Sequence, residues 1–452
     1  MPSVSDLTRA ELERFRNELF EFLSIPSVSA RSEFQDDTRK AASWVVETLL
    51  SSGLEAQLFE TPGHPIALGE WRGAGPEAPT LLVYGHYDVQ PPEPLERWTS
   101  PPFEPAIRNG RIYARGAADN KGQLFLHLKA LELLLARDGE LPVNVVLLAE
   151  GEEEVGSTNL RPFLEAHGDR LRADAVVISD SAMFGPGLPS LLFSLRGLSY
   201  FELRARTART DLHSGMYGGA APNAATALAR LLASLHDAEG RVAIRGFYDD
   251  VVEWDEETLR GIRELPFREG SLLEETGARG LVGEKGYSVL ERLWLRPSAD
   301  VNGILSGYVE EGAKTVIPAE AMAKVSFRLV PDQDPDEIAR LLSEHVERIA
   351  PPEVEVEVRE LHRGRPWRAR PEGPYFEAAR AALRSAFGRD PVLVGEGASI
   401  PVVADFERHL GAQVLLVGFA LPGANMHAPD EWFPLDHIEK GILTLLNFYS
   451  AL

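Results

Sequence analysis

The stretch LLVYGHYDVQPPE, residues 81–93, decides how this chain is read. Leu81 to Gly85 are almost all apolar, His86 follows at once, Asp88 lies two positions on, and Pro91 and Pro92 end the segment. An apolar run without alternation reads as a strand buried on both faces, the kind found in a sheet covered by helices on both sides. Three more runs share the pattern: VNVVLLAE (143–150), DAVVISD (174–180) and AQVLLVGF (412–419). Helical candidates such as KGQLFLHLKALELLLARDG (121–139) lie between them. This spacing predicts an α/β layered domain with a largely parallel sheet.

A second kind of strand alternates strictly. YFELRARTA (200–208) sets Phe201, Leu203 and Ala205 against Glu202, Arg204 and Arg206. AMAKVSFRLV (321–330) and EVEVEVRE (353–360) do the same, which predicts a sheet with one face open. The accompanying helices are PNAATALARLLASL (222–235) and DPDEIARLLSEHVERIA (334–350). We therefore expect a smaller α+β domain, residues 197–370, inserted into an α/β domain made of residues 1–196 and 371–452. The sheet of the latter resumes near PEGPYFEAARAALRSAFG (371–388). Residues 236–296 read as mostly helical, and their pattern does not place them.

Composition narrows the function. The 452 residues are 44% hydrophobic and 25% charged, a globular profile for a chain long enough for two domains. A formal net charge of -23 repels phosphate backbones and anionic membranes, so neither nucleic acid nor membrane is expected as a partner. With no cysteine, disulfides, thiolate nucleophiles and thiolate-held zinc are all excluded, and any metal must sit on His, Asp and Glu. Residues 1–30 read as an amphipathic helix after a Ser/Asp cap region, without the pattern of a secretory leader. No apolar run approaches the ~18 residues of a membrane span. The expected location is cytoplasmic.

Each apolar strand ends in a candidate ligand or base. The first ends at His86 and Asp88, the second in EGEEEVGS with Glu152, Glu153 and Glu154, and the third at Asp180. The last is followed by LPGANMHAPDEW with His427, and RIYARGAADNKGQ offers Asp119 in a Gly-flanked loop before a helix. Singly, each has a plain structural reading: a loop histidine as polar surface, a Glu triplet as a solvated run, a strand-end Asp as a helix cap. Jointly, two His, two Asp and adjacent glutamates at strand exits have the composition of a two-metal site. Such a site holds cations about 3.5–4 Å apart with a shared carboxylate and a free one as base.

At this point the chain resembles the zinc aminopeptidase-like hydrolases that include carboxypeptidase G, aminoacylase and the cytosolic dipeptidases. It is most similar to the carnosinase-like dipeptidase branch. GHYDVQP, RGAADNKG, EEEVGS, DLHSGMYGG, GAKTVIP, FRLVP and GASIPV occur in the order of that branch and span essentially the whole chain. The resemblance implies a zinc-peptidase-like sheet flanked by helices, with an inserted lid and dimerisation domain. It implies His86 and Asp180 on one divalent ion, Glu154 and His427 on the other, and Asp119 bridging, with zinc as the expected metal and manganese the alternative. Glu153 is then the general base, and Asp88 orients His86, since residues i and i+2 of an extended segment point the same way. The Asp119–Asn120 peptide bond is expected to be cis. From the inserted domain, His213 would reach into the partner's site of a homodimer and stabilise the oxyanion. Arg328 would clamp a free carboxylate, and Thr315, His362 and Ser399 would help hold the substrate. His213 also has a plainer reading as the cap of a turn, and Arg328 as a solvated strand residue. Ala398 stands where relatives often carry Gly.

The expected activity is hydrolysis of the peptide bond of dipeptides by a metal-activated water. The alternative is N-acyl amino acid deacylation or another amidohydrolysis at the same site. A non-catalytic binder would lack a ligand or the base, and none is absent here. A serine hydrolase would need G-x-S-x-G, and GASIP lacks the second Gly.

Overall fold

A computed structural model describes residues 7–452, Pro401 by its backbone alone. The strands used below are, in chain order, β1 (Glu55–Phe59), β2 (Ile66–Trp71), β3 (Thr80–His86), β4 (Asn144–Glu150), β5 (Ala175–Ile178), β6 (Gly197–Arg206), β7 (Ser298–Ser306), β8 (Glu320–Leu329), β9 (Glu355–Gly364) and β10 (Gln413–Leu416). The helices are α1 (Arg9–Leu23), α2 (Gln35–Ser51), α3 (Lys121–Asp138), α4 (Ala224–Ala233), α5 (Pro335–Ile349), α6 (Pro374–Phe387) and α7 (Asp436–Ser450). The Ser/Asp cap region expected before α1 lies outside the described residues. Within them, Thr8 caps α1 with a reciprocal box, its hydroxyl accepting from Glu11 N while the Glu11 carboxylate accepts from Thr8 N.

The chain divides into two compact units. The first runs to Phe193 and includes Ala369–Val394 and Asp405–Leu452; the second is Ser194–Arg368 with Gly395–Ala404. In the first unit the strands lie in the order β1-β2-β4-β3-β5-β10. The pairs β3–β4, β3–β5 and β5–β10 are parallel, while β1–β2 and β2–β4 are antiparallel. The sheet is thus mixed, where the sequence suggested largely parallel. The short link 60–65 between β1 and β2 cannot carry a crossover, so those strands pair as a hairpin.

β3 and β4 are buried almost end to end, as continuously apolar strands should be. α3 is buried from Lys121 through Leu131, on every side, so it has no polar face to show as a helical period. Each fully buried Leu or Phe in it contributes about 1.5–3 kcal/mol. Its one buried histidine is fully satisfied: His127 lies 2.7 Å from Tyr449 OH and 2.8 Å from Ser179 Oγ. Burial pushes its pKa down to about 3, so it stays neutral. Among the described residues no helix is long and apolar enough to cross a membrane.

In the second unit the antiparallel order is β7-β8-β6-β9. The alternating residues do what their period predicts. Phe201, Leu203, Ala323, Val325 and Phe327 form one core with Leu228 and Leu231 of α4 and Ile338 and Leu342 of α5. Residues 236–296 differ from expectation. They hold three short helices, Glu256–Arg263, Glu269–Thr276 and Val289–Trp294, with irregular chain between. Glycines at positive φ, among them Gly240, Gly246, Gly277, Gly283 and Gly286, turn the chain where a helical period would have to continue.

Candidate metal centre

Parallel pairing sets the strand ends level. His86 lies opposite Glu150 across β3–β4, and Tyr84 opposite Ile178 across β3–β5, so His86 and Asp180, each two residues further on, leave the sheet together. The loop before α3 brings Asp119 to the same edge, and its peptide bond to Asn120 is cis, as the resemblance implied. His427 arrives on the loop after β10.

These residues converge. His86 Nε2 lies 3.1 Å from Asp119 Oδ1 and 3.8 Å from Asp180 Oδ1. His427 Nε2 lies 2.9 Å from Asp119 Oδ2 and 3.3 Å from Glu154 Oε2. Asp119 thus turns one oxygen to each histidine. The five side chains form two groups, His86/Asp119/Asp180 and Asp119/Glu154/His427, each with ligand atoms within 4.8 Å of one another. Two ligands on a tetrahedral zinc with ~2.0–2.1 Å bonds stand about 3.3–3.4 Å apart, which matches these spacings. Glu154 Oε1 is buried without a hydrogen-bond partner, a costly state for a carboxylate unless a cation faces it. The residues present therefore fit divalent ions.

Asp88 is fully buried beneath the cluster. His86 Nδ1 lies 3.1 Å from the Asp88 carbonyl and 3.3 Å from its Oδ1, which fixes a proton on Nδ1 and makes Nε2, facing Asp119, the atom that ligates once its own proton leaves. The Asp88 carboxylate is itself held by Ser29 Oγ at 2.6 Å and by the amides of Glu153 and Glu154 at 3.3 and 3.2 Å. The glutamate triplet divides its tasks. Glu152 accepts from Asn159 N and Nδ2 and from His64 N, a structural role. Glu154 receives Gln90 Nε2 at 2.8 Å and faces His427. The Glu153 carboxyl is pushed well above its ordinary range, first by burial and then by the charges of Asp180, Asp119 and Glu154, against the pull of His86. Glu154 rises to about 7 through burial and Asp119. Hydrogen bonds to Asp119 and Glu154 raise His427 to about 10, and the partners of His86 hold it well above the imidazole range despite burial.

Sequence reasoning missed several supports. Glu431 is completely buried; it pairs with Arg115 at 2.7 Å and accepts from the amides of Gly116, Ala118 and Asp119. It fixes the loop that presents Asp119. Asn120 Nδ2 donates to Asp180 Oδ1 at 2.8 Å. The His427 loop holds three non-glycine residues at positive φ, Asn425, His427 and Asp430, a strained path. Asp430 is pinned by Thr99 N and Oγ1 and by Arg108. Both Asn120 and Glu431 lie within the quoted motifs, and that proximity was the only available signal.

The remaining predicted residues belong to the second unit. Arg328 Nη1 donates to Ser399 Oγ at 3.1 Å. His213 and Thr315 are brought together where Ser214 N donates to Thr315 O at 3.0 Å. His213 caps the turn Ser214–Tyr217, its Nδ1 accepting from Gly215 N, so the plainer reading of this residue holds as well. His362 is exposed on β9, next to a register shift.

A mixed α/β sheet with this cluster at its carboxyl edge defines a metal-dependent hydrolase. Residues 82–451 match Peptidase family M20/M25/M40, and the chain belongs to that family. The resemblance read from the seven segments is thereby borne out. The chain is 31% identical over 456 residues to the Cys-Gly metallodipeptidase dug1 of Schizosaccharomyces pombe, covering 97% of this chain and 96% of that one. The M20 family metallo-carboxypeptidase Sso-CP2 from Sulfolobus solfataricus is similar in structure with a TM-score of 0.85 at 35% identity, over 96% of this chain and 98% of that one. Human carnosine dipeptidase 1 is similar with a TM-score of 0.83 at 27% identity, over 98% and 96%.

Proposed function

We propose that the chain hydrolyses the peptide bond of dipeptides at a site for two divalent cations, zinc first and manganese as the alternative. The observation that carries this reading is Asp119, with one oxygen toward His86 and the other toward His427. His86 and Asp180 would hold one ion, Glu154 and His427 the other, with Asp119 shared. When bound, such ions polarise a carbonyl and bring the pKa of water at the site to about 7. Asp88 keeps His86 in the tautomer that ligation needs. Glu153 serves as general base: its carboxylate stands beside the cluster, takes a proton and returns it to the leaving amine. The dipeptide substrate is supported by two of the relatives, one named as a Cys-Gly metallodipeptidase and the other as a Beta-Ala-His dipeptidase.

Arg328, Ser399, Thr315 and His362 hold the substrate in this proposal, and His213, its Nε2 free to donate, stabilises the oxyanion in the site of a second copy. A homodimer through the second unit is supported by β7. This edge strand leaves Val301, Ile304 and Leu305 exposed beside unpaired backbone, a surface that invites strand pairing. A cytoplasmic location belongs to the same proposal.

The test is hydrolysis by chelator-stripped protein before and after adding zinc or manganese, with free dipeptides, a tripeptide and an acetyl-amino acid in parallel. Metal-dependent cleavage of free dipeptides is the expected result. Activity restored on the acetylated substrate alone would replace the reading with a deacylase.

A further inference from the structure

The second unit contains a buried positive charge that its fold does not neutralise. Arg196 is 9% exposed, yet the only hydrogen bond of its side chain among the described residues runs from Nε to Gly397 O at 3.1 Å. Four of its five N–H donors are left over. Arg328 lies opposite Leu198 across β8–β6, and Arg196 precedes Leu198 by two residues, so the two arginines are diagonal neighbours on one face. They also flank one short loop, Arg196 at Gly397 and Arg328 at Ser399. Neither forms an ion pair among the described residues. The nearest acids are engaged elsewhere. Glu396 accepts from the amides of Gly397 and Ala398, and Asp300 from Ser298 Oγ. Burial, and then the charge of Arg328, push Arg196 down to about 10, as expected for a guanidinium short of counter-charge.

Asp300 and Glu396 lie close enough to pull against this shift, but neither is in ion-pair contact, and two clustered guanidiniums without a carboxylate in contact are costly unless an anion completes them. We propose that Arg196 is a second anion-binding residue, which with Arg328 and the Ser399 hydroxyl receives the free carboxylate of the substrate. The inference deepens the dipeptidase reading and rests on it for the identity of the anion, but not for the anion site itself.

Two measurements separate these. In the first, metal-loaded Arg196→Gln is compared with wild type on a dipeptide and on the same dipeptide as its C-terminal amide. Loss of a charge-assisted bond should raise KM for the free acid by about tenfold or more, leave kcat within about threefold, and leave the amide unaffected. In the second, the thermal midpoint of metal-stripped protein is followed in millimolar sulfate, with chloride at matched ionic strength as reference. Wild type should be stabilised by sulfate, and Arg196→Gln should lose at least half of that shift. If wild type cleaves no dipeptide but the sulfate shift depends on Arg196, the substrate reading fails and the anion site stands. An unchanged acid-to-amide ratio with an unchanged sulfate shift in the variant overturns the inference. Should Arg196→Gln not fold, Arg328→Gln decides: a partial sulfate shift supports Arg196, and complete loss refutes it.

Discussion

Adding zinc to the metal-stripped protein should expel protons, and their number follows from the site. His427 is held protonated up to about 10 by Asp119 and Glu154. His86, although buried, is held protonated well above the imidazole range by Asp119, Asp180 and Asp88. Both imidazoles must be neutral to ligate, so each releases about one proton at pH 7. Glu154, with a pKa of about 7, is about half protonated there and releases about half a proton more. The sum is about 2.5 protons at pH 7, falling to about 2 at pH 8 as Glu154 ionises beforehand; Glu153, also raised, adds at most about one. Protons compete with metal, so acidification by one unit should weaken the combined affinity for the two ions about 100-fold, about tenfold for each ion, when two protons leave. Titration calorimetry in buffers of different ionisation enthalpy reads this number directly, as the slope of apparent enthalpy against buffer enthalpy. A slope near zero, or one that grows from pH 7 to pH 8, would refute the argument that the free site stores its protons on the histidines.

Glu153→Gln should lower turnover by about 10²–10⁴ while metal content, measured by mass spectrometry, stays that of wild type. Ser29→Ala removes the 2.6 Å bond to Asp88 and should weaken metal affinity by about 10–100-fold through His86, without touching any ligand; unchanged affinity in competition with a chromogenic chelator would argue against that chain of support. Glu431→Gln leaves the buried Arg115 without its counter-charge and should cost about 3–5 kcal/mol in urea unfolding, with lower metal occupancy as the Asp119 loop loosens. Leu147→Ala, in the middle of β4, should cost about 2–5 kcal/mol, yet the folded fraction should retain its metal stoichiometry, since the deletion lies away from the strand ends.

The part of the site carried by strand ends was legible because two physical rules coincide there. Strands buried on both faces announce themselves by unbroken apolar runs, and parallel pairing levels their exits, so His86, Asp180 and the glutamates after β4 had to meet. Asp119 and His427 lie on loops, where sequence shows residue type but not direction; residue type made them candidates, and only the family resemblance gave them their places as bridge and ligand. The supports were illegible for a simpler reason. Glu431 acts on the Asp119 amide from 312 residues away, and Ser29 on Asp88 from 59 away, through hydrogen bonds that no periodicity records. The antiparallel edge formed by β1 and β2 was not read from the sequence, because its pairing follows from the length of the link between the two strands and not from their composition. These hidden supports bear on how the site works. Asp88, Asp180 and Glu154 are each held by a hydroxyl or a side-chain amide, and Asp119 by its own backbone N–H donating to Glu431, before any ion arrives. Such a cluster need not be ordered by its metal. What a cation must overcome is the protons on its ligands, which makes proton release, more than any folding change, the free energy that sets affinity in this centre.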